Sequence, residues 1–115
     1  EVMGDLAAYK VGAHQHVPEI TQATWARTLS FTPLLAPLPR GIVSTVTARP
    51  VGAVTAADVR QVLAAAYADA PFVHLLPEGR QPHAAATLGS NSCHLQATQV
   101  LCGVRAPSMP TCAGG

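Results

Sequence analysis

Two histidines near the start of the chain are the first candidates for chemistry. His14 and His16 lie two residues apart, close to Glu19, and in an extended segment both imidazoles would project from one face. From this spacing alone three interpretations are open: a metal-binding pair, a general acid or base, or two ordinary surface or structural histidines. A metal site needs further ligands, and the other three histidines show no ligand spacing (His74, His83 and His94). The sequence therefore predicts no metal site.

An arginine and a small-residue turn are the next candidates. Arg40 stands between two apolar segments and before Gly41, so its guanidinium could fork onto a carboxylate or phosphate that approaches closely. A solvated turn arginine is the alternative. Gly89, Ser90 and Asn91 could let the backbone approach a ligand, or form a plain turn.

The cysteines give no nucleophile and no cluster. Cys93, Cys102 and Cys112 are odd in number and lack CxxC spacing, which argues against a disulfide framework and a zinc site and favours a reducing compartment. Cys93 has no basic neighbour in the sequence to lower its pKa, so we expect a core residue there.

Composition limits the partners. Only 11% of the 115 residues are charged, so we expect either that a partner covers part of the surface or that the chain is a fragment, and the missing initiator methionine hints at lost upstream sequence. The net charge of +1 comes from scattered residues, which argues against nucleic acid. No apolar run is long enough to cross a bilayer and no leader pattern opens the chain, so we expect a cytoplasmic protein without membrane contact.

The secondary structure predicted around these residues indicates an α+β domain. Helical spacing and first-turn residues predict helices from Pro18 to about Ala26 and from Ala56 to Asp69, the second capped by Thr55 with Asp58. Residues 1–9 look weakly helical, and 10–17 form a loop. The predicted strands are 29–38, 42–51, 72–76 and a segment through 95–97.

The second helix anchors the predicted packing. We expect its apolar face to lie on a sheet that contains Ile42 to Thr47 and Phe72 to Leu75; that face comprises Val59, Val62, Leu63 and Ala66. From about Thr98 the sequence loses any period, so the prediction divides the chain into a partial catalytic and substrate domain, 1–97, and an irregular tail, 98–115.

Several short motifs occur in a fixed order along the chain. They are Ala8-Tyr9-Lys10-Val11-Gly12-Ala13-His14-Gln15-His16-Val17-Pro18-Glu19-Ile20, Ser30-Phe31-Thr32-Pro33, Pro39-Arg40-Gly41-Ile42, Pro77-Glu78-Gly79 and Gly89-Ser90-Asn91. From about Leu6 to Gln96 this series resembles the C-terminal domain of the N-acetyl-gamma-glutamyl-phosphate reductases. The resemblance implies a mixed sheet with packed helices, as in semialdehyde and glyceraldehyde-phosphate dehydrogenases.

The resemblance also implies a reaction and roles. Such enzymes use NADPH in arginine biosynthesis to reduce an acyl phosphate to N-acetylglutamate semialdehyde through a cysteine thioester, and the parent enzyme is expected to be a homo-oligomer. By resemblance His16 is the acid/base, His14 and Glu19 shape its charge and orientation or contact substrate, and Arg40 binds the substrate. The segment Gly89, Ser90 and Asn91 then lies near the nicotinamide end of the cofactor.

The sequence departs from the family in three places. Gln15 replaces the usual basic residue between the histidines, the dinucleotide fingerprint and nucleophilic cysteine are missing, and the tail lacks the family's continuation. A frameshift or truncation would explain the tail, and the chain alone is expected to be inactive. The alternatives are an aspartate-semialdehyde dehydrogenase-like domain and a noncatalytic fragment that binds a partner.

Overall fold

The structure, a computed structural model, describes residues 4–98, and its contacts divide the chain into two units, Glu1–Pro39 and Arg40–Gly115. The elements in chain order are β1 (Ala7–Ala8), α1 (Val17–Thr24), β2 (Leu34–Leu35), α2 (Ala56–Ala66), β3 (Val73–Leu75), a 3-10 helix (Ala84–Thr87) and β4 (Cys93–Leu95). The predicted α+β class is confirmed. The expected tail lies outside the described residues.

The first unit holds an antiparallel strand pair and one short helix. β1 pairs with β2, with Ala7 opposite Leu35 and Ala8 opposite Leu34, and the amide of Tyr9 extends the pairing by donating to the carbonyl of Pro33 at 3.2 Å. The sequence predicts a weak helix for residues 1–9, but among the described residues of that segment a short strand forms at Ala7–Ala8 instead. The backbone of β2 supplies hydrogen-bond partners that local sequence does not reveal. The predicted loop from Lys10 onward is present.

Helix α1 is where the sequence predicts it, and its ends have local causes. Pro18 occupies the first turn, where a missing N–H costs nothing, and Glu19 follows in the same turn. The helix ends because Trp25 adopts the left-handed conformation with φ 55°, which is uncommon for a residue other than glycine. Trp25 is also 89% exposed.

The second unit is built on α2 and a parallel strand pair. β3 pairs with β4 so that Val73, His74 and Leu75 lie beside Cys93, His94 and Leu95, and α2 lies next to β3. The strands predicted at 72–76 and through 95–97 are confirmed, although the second starts and ends slightly earlier.

Arg60 and Gln96 join three segments of this unit. The guanidinium of Arg60 donates to the carbonyl of Leu76 at 2.8 Å and to the side-chain oxygen of Gln96. The amide of Gln96 donates to the carbonyls of Pro77 and Arg80 at 2.8 and 2.7 Å. These bonds fix the turn after β3 to α2 and to the end of β4.

The predicted strand from Ile42 to Val51 is wrong. No regular element occurs there, and within residues 4–98 no other backbone segment pairs with it. A strand needs a ladder partner, and apolar alternation alone supplies none. The predicted packing of α2 on Ile42 to Thr47 is consequently wrong as well.

Little apolar surface is covered in the described part of the chain. Between residues 4 and 98 no apolar side chain is buried, and Val59 and Val62 on α2 are 40% and 67% exposed, against the prediction that both are packed on a sheet. The reason is the missing strand at 42–47, which leaves part of the helix face without a surface to contact. In the same residues no helix is long and apolar enough to cross a membrane.

The start of α2 carries a reciprocal hydrogen-bonded cap. The amide of Asp58 donates to the hydroxyl of Thr55 at 3.2 Å, while the amide and hydroxyl of Thr55 donate to the Asp58 carboxylate at 2.8 and 2.6 Å. The side-chain bond and then the backbone bond from Thr55 hold the pKa of Asp58 below its ordinary value of 3.8. The helix begins where predicted and ends at Ala66, three residues early.

The cap makes the stability of α2 depend on pH. Because the pKa of Asp58 is lower in the folded chain, its stabilising effect is complete well above pH 3.8 and is lost as the pH falls through the folded pKa. We expect Asp58→Asn to lower helical circular dichroism near neutral pH and to flatten its loss between about pH 5 and pH 2.5. The control Asp69→Asn, beyond the helix, should retain the acid transition. An unchanged acid transition in Asp58→Asn would show that another group causes it.

Candidate active site

His14 is the one buried residue between positions 4 and 98, with 7% of its surface exposed, and both of its ring nitrogens are engaged. The backbone amide of His16 donates to Nδ1 of His14 at 3.2 Å. A neutral ring that accepts at Nδ1 carries its proton on Nε2, and that N–H therefore donates to the hydroxyl oxygen of Tyr9 at 3.3 Å. The contacts fix both the orientation and the tautomer of His14.

Aromatic rings surround His14 in edge-to-face contacts. The ring centroids of Tyr9, Phe31 and His16 lie 5.4, 5.2 and 4.8 Å from that of His14. Burial lowers the pKa of His14 below 6.5, and positive charge on His16 and Lys10 lowers it further. His14 is therefore neutral at physiological pH and is poorly placed to carry a transferred proton.

The His16 side chain differs from that of His14 in its exposure and in its contacts. It occupies the N-cap position of α1 without a side-chain capping bond, and 54% of its side chain is exposed. Its Nε2 lies 3.9 Å from a carboxylate oxygen of Glu19, one helical turn along, and the two form an ion pair when the imidazole is protonated. An accessible imidazole beside a carboxylate can accept a proton, hold it and return it.

A tight turn presents the two histidines. Lys10 and Gly12 have positive φ values of 47° and 74°, and the amide of Ala13 donates to the carbonyl of Lys10 at 3.1 Å. The carbonyls of His14 and His16 then accept from Val17 and Ile20 at 3.1 and 2.9 Å, which joins the turn to α1. The histidine segment is thus rigidly connected to the helix that carries Glu19.

The hydrogen bonds of His14 also bear on the hypothesis that His14 and His16 bind a metal ion. A ring whose Nδ1 accepts a hydrogen bond and whose Nε2 donates one has no lone pair left for an ion. The interpretation of His14 and His16 as a metal-binding pair is therefore disfavoured.

Arg40 and the glycine beside it belong to the second unit. Arg40 is exposed in a bend. Gly41 has φ 99°, and a Cβ at this position would lie 3.3 Å from the Cβ of Ala84, so both its conformation and the close approach require glycine. The guanidinium is accessible to an anionic ligand.

The segment Gly89, Ser90 and Asn91 forms a turn between the 3-10 helix and β4. The hydroxyl of Ser90 donates to the carbonyl of Thr87 at 2.9 Å and accepts from the amide of Ser92 at 3.2 Å. Gly89 has φ 74° with open space around its Cβ position, and Asn91 is exposed. Ser90 thus holds the turn, while Gly89 and Asn91 remain accessible.

Sequence reasoning missed Tyr9 and Phe31, which lie five residues before and seventeen residues after His14. Both occur within the quoted motifs, yet nothing in their spacing shows that they enclose His14. It also expected Cys93 in the core, whereas Cys93 is exposed.

Comparison with known proteins assigns the chain to a protein family. A family model described as the dimerisation domain of semialdehyde dehydrogenases matches residues 1–102. The chain is 76% identical over 98 residues to the N-acetyl-gamma-glutamyl-phosphate reductase of Salinispora tropica, covering 85% of this chain and 28% of the relative. Proteins of the same name from Frankia casuarinae and Corynebacterium diphtheriae are 59% and 49% identical over 103 and 102 residues, covering 85% and 84% of this chain and 30% and 29% of theirs.

The chain therefore spans less than a third of the length of these curated relatives. The family model, in contrast, matches well over half of the chain. On this match the chain belongs to the semialdehyde dehydrogenase dimerisation-domain family.

Proposed function

We propose that this chain supplies the acid/base histidine and part of the substrate site of an NADPH-dependent N-acetyl-gamma-glutamyl-phosphate reductase. The proposal rests on the different environments of the two histidine side chains. His14 is buried with both nitrogens engaged, whereas His16 is exposed beside Glu19. The high identity to reductases of that name supports the same assignment.

The proposed reaction requires proton transfer at two atoms. In the parent enzyme a cysteine thiolate, contributed from outside this chain, displaces phosphate from the acyl phosphate to form a thioester. His16 takes the thiol proton before this attack and later donates a proton to the oxyanion that develops on the former carbonyl. It then takes that hydroxyl proton back as the C–S bond breaks, which releases the semialdehyde and the cysteine thiolate. NADPH supplies the hydride when it is bound to the parent enzyme.

Glu19 and His14 support His16 in different ways. The Glu19 carboxylate lies 3.9 Å from Nε2 and forms an ion pair with His16 whenever the imidazole holds a proton. His14 accepts a hydrogen bond from the backbone amide of His16 and fixes the start of α1. Because His14 is neutral, it adds no positive charge that would oppose protonation of His16.

Arg40 is the proposed anion-binding residue. The substrate carries a carboxylate and a phosphate, and an exposed guanidinium beside a glycine can form a paired hydrogen bond with either group. The backbone at Gly89 and the side-chain amide of Asn91 are accessible and would be the groups that contact the nicotinamide end of the cofactor. The hydroxyl of Ser90 is already used within the turn.

The family also suggests how the parent enzyme assembles. Membership of a dimerisation-domain family supports a homo-oligomer. A cytoplasmic location is part of the same proposal. The lack of a buried apolar side chain between residues 4 and 98 favours, for the isolated chain, the alternative of a noncatalytic fragment. Activity is therefore to be measured in a complete enzyme.

The tautomer and neutrality of His14 can be tested directly on the chain. With nitrogen-labelled histidine, we expect the ring of His14 to show the Nε2–H tautomer at neutral pH and to titrate below 6.5. Its neutral form is the stabilised one, so acidification through the folded pKa weakens the Tyr9 and Phe31 contacts. Tyr9→Phe removes the acceptor and should reduce the tautomer preference. A His14 ring that is protonated at neutral pH would contradict the assignment.

The role of His16 is tested in a hybrid enzyme. The aligned segment of this chain replaces its counterpart in the Salinispora tropica reductase, and His16→Asn is introduced. We expect turnover to fall by about a hundred-fold or more, the usual scale for a lost acid/base, with cofactor binding retained. His83→Asn, at another exposed histidine, serves as the matched control. Near-normal turnover in His16→Asn would refute the role.

Arg40→Ala in the same hybrid should act mainly on substrate binding. A lost hydrogen bond to a charged group costs about 1.5–3 kcal/mol, so KM should rise roughly tenfold or more with a smaller change in kcat. Arg49→Ala, which removes an arginine from the same irregular segment, is the control. An unchanged KM would identify Arg40 as a solvated turn residue.

A further inference from the structure

His74 and His94 are twenty residues apart in the sequence but directly adjacent in the structure. The parallel register of β3 and β4 places them opposite each other, with neighbouring strands about 4.8 Å apart. Residues that face each other in a ladder project on the same side of the sheet. The two imidazoles therefore form a pair on the surface of the second unit.

The ring geometry suits a shared metal ion. The centroids lie 5.8 Å apart and the ring planes are inclined at 78°. Metal–nitrogen bonds of about 2.0–2.1 Å place each ring centroid about 3.2 Å from the ion. The two centroids are then about 4.5 Å apart if the directions from the ion to the rings form a right angle, and about 6.4 Å apart if the rings lie on opposite sides of the ion. The observed separation falls between these limits.

The surroundings allow an ion to enter and retain water. His74 is exposed and His94 is half-buried, so solvent reaches the space beside the rings. The hydroxyl of Ser92 lies 3.5 Å from Nε2 of His74 and can orient that ring. Cys93 lies on the opposite face of β4, because side chains alternate along a strand.

We propose that His74 and His94 form a two-histidine site for a divalent transition-metal ion of the kind that imidazole favours, such as Zn²⁺, Ni²⁺ or Cu²⁺. Within residues 4–98 no group of three or more histidine, cysteine, aspartate and glutamate side chains could hold an ion. Water completes the coordination, and the ion is exchangeable rather than structural. The site lies apart in sequence from the histidines of the proposed reaction and does not depend on that proposal.

Nickel is a suitable probe because its paramagnetism broadens the signals of the rings it contacts. The whole chain, labelled at histidine nitrogen, is titrated with Ni²⁺ at about pH 7.5, where imidazole is neutral. We expect His74 and His94 to broaden together at the lowest nickel concentrations and to recover together when EDTA removes the nickel. Earlier broadening of His14, His16 or His83 would overturn the proposal. A finding that β3 and β4 do not pair in solution would also overturn it.

Single substitutions separate a shared ion from two independent contacts. His74→Asn and His94→Asn should each weaken nickel binding at the remaining ring by at least about tenfold, whereas His83→Asn should leave it unchanged. Cys93→Ser should also bind nickel normally. Undiminished broadening of one ring after loss of the other, or loss of binding in Cys93→Ser, would contradict a two-histidine site. Circular dichroism confirms that each variant keeps its helices.

Discussion

The backbone amide of His16 donates a hydrogen bond to the buried ring of His14, and this contact organises the proposed catalytic site. It sets the tautomer of His14, directs Nε2 to Tyr9 and joins the turn at Gly12 to the start of α1. Two residues of the same type in one short motif thereby acquire different chemistry. One ring is neutral and enclosed, and the other is exposed beside a carboxylate.

The second unit depends on a different constraint, the pairing of β3 with β4 and the hydrogen bonds of Arg60. Arg60 and Gln96 satisfy carbonyls of the turn that follows β3, where the regular ladder stops. The same pairing brings His74 next to His94. The strand pairing, together with the hydrogen bonds that hold the turn after β3, thus places two histidines side by side, which the sequence does not reveal.

Local signals predicted the helices and the histidine loop. Thr55 and Asp58 define the start of α2 through bonds that span three residues. Pro18 and Glu19 lie in the first turn of α1, which begins without a side-chain capping bond. The predictions that failed concern contacts between residues far apart in the sequence. The segment from Ile42 to Val51 alternates like a strand, yet between residues 4 and 98 no backbone pairs with it, and Val51 is fully exposed. Likewise, the site residues were named from a resemblance, whereas Tyr9 and Phe31 distinguish His14 from His16 through contacts that spacing does not show.

His16, and not His14, is proposed to carry the transferred proton. The pH dependence of kcat/KM for the hybrid reductase, compared between His16→Asn and His14→Asn, distinguishes the two histidines. If His16 carries the proton, the ionisation assigned to the acid/base disappears in His16→Asn and persists, at reduced overall rate, in His14→Asn. An ionisation that persists in His16→Asn and vanishes in His14→Asn would contradict this assignment and exchange the two roles.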